Sequence, residues 1–133
     1  MTYDFYKLAL EHQKQHGCGA VPYAFGNLLT SLVTATGATK ILEVGTGIGY
    51  SAACLATGNS KVKIETIDKD QDHLKLAKDL FKKFGVEKQI TVHEGLAEFV
   101  IPNLNKSFDL ILFRVFAIVF GFSWQVHTVI IFQ

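Results

Sequence analysis

Along the first sixteen positions apolar residues recur at the helical period. Phe5, Leu8, Ala9 and His12 share one face while Lys7, Glu11 and Lys14 fall outside it, which predicts a helix over 3–16. The Gly17-Cys18-Gly19-Ala20 run and Pro22 break that pattern. A second helix is expected over about 22–36, with Phe25, Leu28, Leu29 and Leu32 inward and Gly37 just past its end. The period then changes. A short apolar run at 40–44 reads as a buried strand, and a helix of small residues follows at Ser51–Thr57. Gly58-Asn59-Ser60 turns into a strand at 62–67, and Asp70 is placed to cap a helix at 71–84. Leu74, Ala77, Leu80, Phe81 and Phe84 form the apolar stripe of that helix, and Gly85 ends it. A strand at 89–93, a short helix near 96–100, a turn at Pro102-Asn103-Leu104-Asn105 and a strand at 108–113 complete the readable pattern.

Strands that alternate with helices imply parallel pairing through right-handed crossovers, so the fold class is α/β with a mostly parallel sheet. In such sheets a ligand sits beyond the C-terminal ends of the strands, where the strand order reverses. The first strand, Ile41-Leu42-Glu43-Val44, ends at that place and runs into Gly45-Thr46-Gly47-Ile48-Gly49-Tyr50-Ser51. Glycines at alternate positions let the backbone turn sharply and let a ligand approach it closely. The following helix presents unpaired N–H groups. The spacing is G-x-G-x-G; the dinucleotide fingerprint would need glycine where Tyr50 stands. Glu43 at the loop mouth would repel a pyrophosphate. It suits a ligand carrying an ammonium and a sulfonium, as S-adenosylmethionine (SAM) does. Asp68 ends the second strand, where an acid accepts hydrogen bonds from a ribose diol. The third strand runs through Glu94 into Gly95-Leu96-Ala97.

Together the Gly45–Ser51 loop with its Tyr50-Ser51 ending, the Ile67-Asp68 acid, the Gly95-Leu96-Ala97 turn and Phe108-Asp109-Leu110-Ile111 resemble the class I SAM-dependent methyltransferases. Within that class the chain is similar to the small O-methyltransferases of the catechol and caffeoyl-CoA type, over about residues 20 to 112. The resemblance implies a Rossmann-like methyltransferase sheet and methyl transfer from SAM to a hydroxyl of a small acceptor molecule. It implies that Gly45, Gly47 and Gly49 cradle the methionyl part, that Glu43 takes its amino group directly or through water, and that Ser51 donates to its carboxylate. Asp68 would hold the ribose hydroxyls, and Leu96 and Ala97 would border the adenine. Tyr50 reads equally well as core. The family also uses a divalent cation, magnesium, held by an Asp-Ala-Asp-Lys turn after the fourth strand and by a later Asp-Asn pair. Neither motif occurs here, so no metal ligand and no catalytic residue is assigned. Asp109 reads as structural, and His12, His16, His93 and His127 show no ligand spacing.

Residues 114–133 break the pattern. They carry few charges and no helix–strand alternation, and they stand where the family continues towards a seven-stranded sheet. The expected organisation is a helical lead-in over 1–37, a cofactor-binding core over 38–113 and an aberrant apolar tail over 114–133. The sheet would then be incomplete at the C-terminus, as after a frameshift or premature stop, and the alternative to an O-methyltransferase is an inactive SAM-binding remnant. A membrane tether and a genuinely shorter fold are the competing accounts of the tail; eight uninterrupted apolar residues at 115–122 fall short of the roughly 20 that a span needs. An apolar tail with a bare sheet face would favour self-association. A net charge of +1 offers nothing for nucleic acid to bind. Cys18 and Cys54 lack metal or redox spacing, and Met1–Tyr6 has no basic or apolar leader, so a reduced, cytoplasmic setting is expected.

Overall fold

The structure is a computed structural model. It describes residues 2–17, 26–119 and 122–131, with side chains over 6–17 and 26–113. The elements are α1 (Thr2–His16), α2 (Gly26–Thr36), β1 (Lys40–Val44), α3 (Tyr50–Thr57), β2 (Lys63–Asp68) and α4 (Gln71–Lys83). A 3-10 turn (Glu87–Gln89) then leads to β3 (Ile90–Glu94), α5 (Ala97–Leu104), β4 (Leu110–Val119) and β5 (Phe122–Ile131).

The strand order is β3-β2-β1-β4-β5. The first four are parallel, as the helical crossovers require, and β5 is antiparallel to β4. Register places Ile41 beside Ile64 and Leu110, and Ile64 beside Ile90, so these side chains share one face. That face packs on α2, α3 and α4 through Leu29, Val33, Leu55, Ala77 and Phe81, all buried. α4 starts at Asp70, whose carboxylate accepts from the N–H groups of Asp72 (3.0 Å) and His73 (3.1 Å). Those bonds, the one from His73 above all, hold the Asp70 carboxyl below its ordinary range. Such a cap contributes about 1 kcal/mol.

Several expectations are corrected. Leu8 and Leu28 are exposed; the inward face of α2 is Gly26, Leu29 and Val33, with Leu32 half-buried. Both leucines sit at the margin of their stripes, where period alone does not separate core from rim. Phe25 and the start of the second expected helix lie outside the described residues. α5 runs through Pro102 and ends at Asn105, which takes the left-handed conformation (φ 46°). The Asn103 amide donates to the Phe99 carbonyl (2.8 Å), adding a side-chain bond within the turn that the proline weakens.

The largest correction concerns the tail. Arg114–Val119 continue β4 rather than end it, and Phe122–Ile131 return as β5, pairing from Val119↔Phe122 to Leu110↔Ile131. The division expected at 113/114 therefore falls inside a strand. Over 115–120 every position is apolar, so no period shows, while Phe122-Ser123-Trp124-Gln125-Val126-His127 does alternate, a strand signal that was passed over; the β-branched and aromatic residues of the run favour extended backbone. Gly121, two residues after Val119, was the available turn signal.

Candidate functional site

The C-terminal ends of β1, β2 and β3 bring together most of the residues expected to form the site. Gly45, Gly47 and Gly49 all have positive φ (94°, 52° and 91°), a conformation that side chains disfavour. The loop is tied to β2 by N–H groups of Gly45 (2.8 Å) and Thr46 (3.2 Å) donating to the Ile67 carbonyl. Asp68 closes it: one carboxylate oxygen accepts from the Gly47 N–H at 2.8 Å, the other from the Asp70 N–H at 3.0 Å. The Asp68 carbonyl accepts from the Gly95 N–H (2.9 Å), which draws the third turn alongside. Leu96, 44% exposed, and Ala97, half-buried, follow Gly95 in that turn.

Glu43 and Ser51 meet each other. Glu43 has no exposed surface, and its two oxygens accept from the hydroxyls of Ser51 (2.5 Å) and Thr66 (2.6 Å). Thr66 in turn contacts the Thr46 hydroxyl at 2.7 Å. All four residues are fully buried. A carboxylate out of water is costly unless such donors replace its hydration. The hydroxyl of Ser51 is thus directed to Glu43, which gives Ser51 a supporting place beneath the loop. Thr46 and Thr66 were not foreseen. Thr46 lies in the glycine loop and Thr66 shares its strand face with Ile64 and Asp68, so no spacing marked either before register was known.

Gly49 differs from the other two glycines. A Cβ there would lie 2.7 Å and 2.9 Å from Phe81 ring atoms and 3.1 Å from the Ala77 Cβ, so this glycine lets α4 close on the loop. Tyr50 belongs to the core: it is 3% exposed and stacks edge-on against Tyr6 with ring centroids 6.0 Å apart. Burial, then the neighbouring Cys54, pushes its hydroxyl well above the ordinary tyrosine range. Cys54 is itself buried and free, its thiol pushed up to about 11 chiefly by desolvation, so it is protonated and unreactive at neutral pH. Cys18 lies outside the described residues.

The sheet's other face carries a second polar cluster. Glu65, 5% exposed, accepts from Lys106 and meets the His93 Nε2 at 2.5 Å. Burial alone would raise the Glu65 carboxyl; the Lys106 ammonium and the His93 ring outweigh it and hold the group below its ordinary range. Stability from a depressed carboxyl is complete above the unfolded value, roughly 4.3 for glutamate, and is lost as pH falls towards the folded value. Glu65→Gln is therefore expected to cost about 1–3 kcal/mol at neutral pH and to flatten the loss of stability below about pH 5. Urea melts at several pH values check this; an unchanged acid slope would remove Glu65 from the account. Asp109 acts as a clamp on β1. One oxygen accepts from the N–H groups of Thr39 (2.8 Å) and Lys40 (2.9 Å), which keeps its carboxyl low, the Thr39 bond first.

A divalent cation does not fit the described residues. Where the resemblance would place an acidic turn, β4 runs on through Arg114 to Val119. Among the described residues no three His, Cys, Asp or Glu side chains come together to hold a metal ion. No helix among them is long and apolar enough to cross a membrane.

A mostly parallel sheet with a glycine loop after β1, tied to the end of β2 through Asp68, is a Rossmann-like arrangement. The chain belongs to the O-methyltransferase family, whose model matches residues 7–118. A Mycolicibacterium vanbaalenii protein named "Putative O-methyltransferase" is 38% identical over 106 residues, which is 77% of this chain and 47% of that protein. Among solved structures, the O-methyltransferase from Bacillus cereus in complex with SAH is 26% identical with a TM-score of 0.70, covering 83% of this chain and 53% of that one. The SAH-bound methyltransferase of Podospora anserina is also 26% identical, with a TM-score of 0.71, over 83% of this chain and 49% of the other. The chain spans about half the length of the curated relatives it matches.

Proposed function

We propose that the chain binds SAM at the C-terminal ends of β1, β2 and β3, and that the protein it represents transfers the methyl group to a hydroxyl of a small acceptor. The observation that carries this reading is the Gly45–Gly49 loop held in positive φ between buried Glu43 and the strand-end Asp68. SAM, when bound, supplies an electrophilic methyl group on a sulfonium. The chain's own residues bind and orient. The glycine loop leaves room for the methionyl backbone, and Glu43 sets a negative field beneath its amino group. Asp68 accepts from the ribose hydroxyls while anchoring Gly47, and Leu96 with Ala97 offers an apolar border to the adenine. The SAH bound in the Bacillus cereus and Podospora anserina relatives supports the choice of ligand.

A second reading, cofactor binding without methyl transfer by this chain, is favoured by one observation. β4 continues as a paired strand through the place where the resemblance would put the cation ligands. Calorimetry with S-adenosylhomocysteine (SAH) is expected to show binding. Incubation with SAM, magnesium and a catechol-like acceptor is expected to give no product. Failure to bind SAH would remove the cofactor reading, and turnover of the acceptor would remove the inactive one.

A further inference from the structure

We infer that Thr66, relayed by Thr46, is the positioning residue that fixes Glu43 at the methionyl end of the cleft, a role that rests on the cofactor reading above. β1 and β2 place Glu43 directly opposite Thr66, so both side chains point to the same face. Glu43 receives the Thr66 hydroxyl at 2.6 Å on one oxygen and the Ser51 hydroxyl at 2.5 Å on the other. These donors come from β2 and from the first turn of α3, so the carboxylate plane is set from two sides. A threonine hydroxyl has one proton to give. Thr66 directs its proton to Glu43, and the donor in its 2.7 Å contact with Thr46 is therefore Thr46. The order of donation is Thr46 to Thr66 to Glu43, with Ser51 donating from the other side. Thr46 sits between Gly45 and Gly47. The same relay thus joins the loop's backbone to the orientation of the acid beneath it, and the buried setting strengthens each bond.

A relay that positions Glu43 predicts a defect confined to one end of the ligand. SAH and 5′-methylthioadenosine share the adenosine and the thioether, and only SAH carries the amino-acid end. Thr66→Val keeps the shape of the side chain and removes the donor. It is expected to weaken SAH binding by about tenfold, as loss of a hydrogen bond to a charged group does, and to leave methylthioadenosine within about twofold. Thr66→Ser is expected to restore SAH binding. Thr46→Val should show a smaller loss with the same selectivity. Equal weakening of both ligands by Thr66→Val would make the relay merely structural and overturn the proposal, as would an unchanged SAH affinity. If Thr66→Val does not fold, Thr46→Val with the same two ligands decides. A wild-type chain that binds neither ligand would overturn the cofactor reading itself; one that binds methylthioadenosine as tightly as SAH would overturn only the relay.

Discussion

Asp68→Ala is expected to weaken SAH binding by about tenfold to a hundredfold, the cost of losing hydrogen bonds made by a charged acceptor. Two losses combine. The ribose hydroxyls lose their carboxylate, and the Gly47 N–H, which donates to Asp68 at 2.8 Å, loses the partner that holds the loop against β2. Asp68→Asn separates them. An amide oxygen can still accept from Gly47, so the loop keeps its anchor, but the amide NH2 then meets the Asp70 N–H that the second carboxylate oxygen accepted from, and the charge facing the ribose is gone. An intermediate loss of binding for Asn is therefore expected, with urea melts between those of wild type and Ala, whereas Ala should both weaken binding and lower stability by about 1–2 kcal/mol. Equal SAH affinity for wild type and Asp68→Ala would end the ribose assignment, and a melt unaffected by Ala would end the anchoring one.

What was legible in the sequence was local. An acid, three alternate glycines and a second acid about twenty residues on describe a loop whose conformation few other residues tolerate, and the structure brings Gly47 and Asp68 together. Asp70 as a cap and Leu74, Ala77 and Phe81 as a core stripe were equally local. What was not legible depends on register or on partners distant in the chain. Thr66 becomes informative only when β1 and β2 are aligned with Glu43 opposite it. Glu65, His93 and Lys106 come from β2, β3 and the segment before β4, and no spacing rule joins them. β5 escaped notice because its alternation, Phe122-Ser123-Trp124-Gln125-Val126-His127, follows directly on the apolar run at 115–122 and was passed over with it. Gly49 was read as part of the ligand cradle, yet its neighbours are Phe81 and Ala77, which only the docking of α4 reveals.

That placement makes Gly49→Ala strongly destabilising. The residue has φ 91°, where a Cβ costs roughly 1–2 kcal/mol. The added carbon would also lie 2.7 Å from the Phe81 ring, and Phe81 is 1% exposed, so the ring has nowhere open to move. Overpacking of a core of this kind adds about 1–3 kcal/mol. The sum, about 2–5 kcal/mol, is expected to lower the melting temperature by roughly 10 °C or more. The two causes can be parted with Phe81→Leu. The smaller side chain leaves room for the methyl but does nothing for the backbone, so Gly49→Ala should cost about 1–3 kcal/mol less in that background than alone. Costs that simply add across the two positions would show that Phe81 is not what excludes a side chain at Gly49. The contrast within the loop is then Gly47→Val. Gly47, at φ 52°, is the glycine assigned to the methionyl group in the proposed function, and SAH binding should fall further than stability does. A Gly47 variant that melts early yet binds SAH normally would reverse the roles assigned to the two glycines.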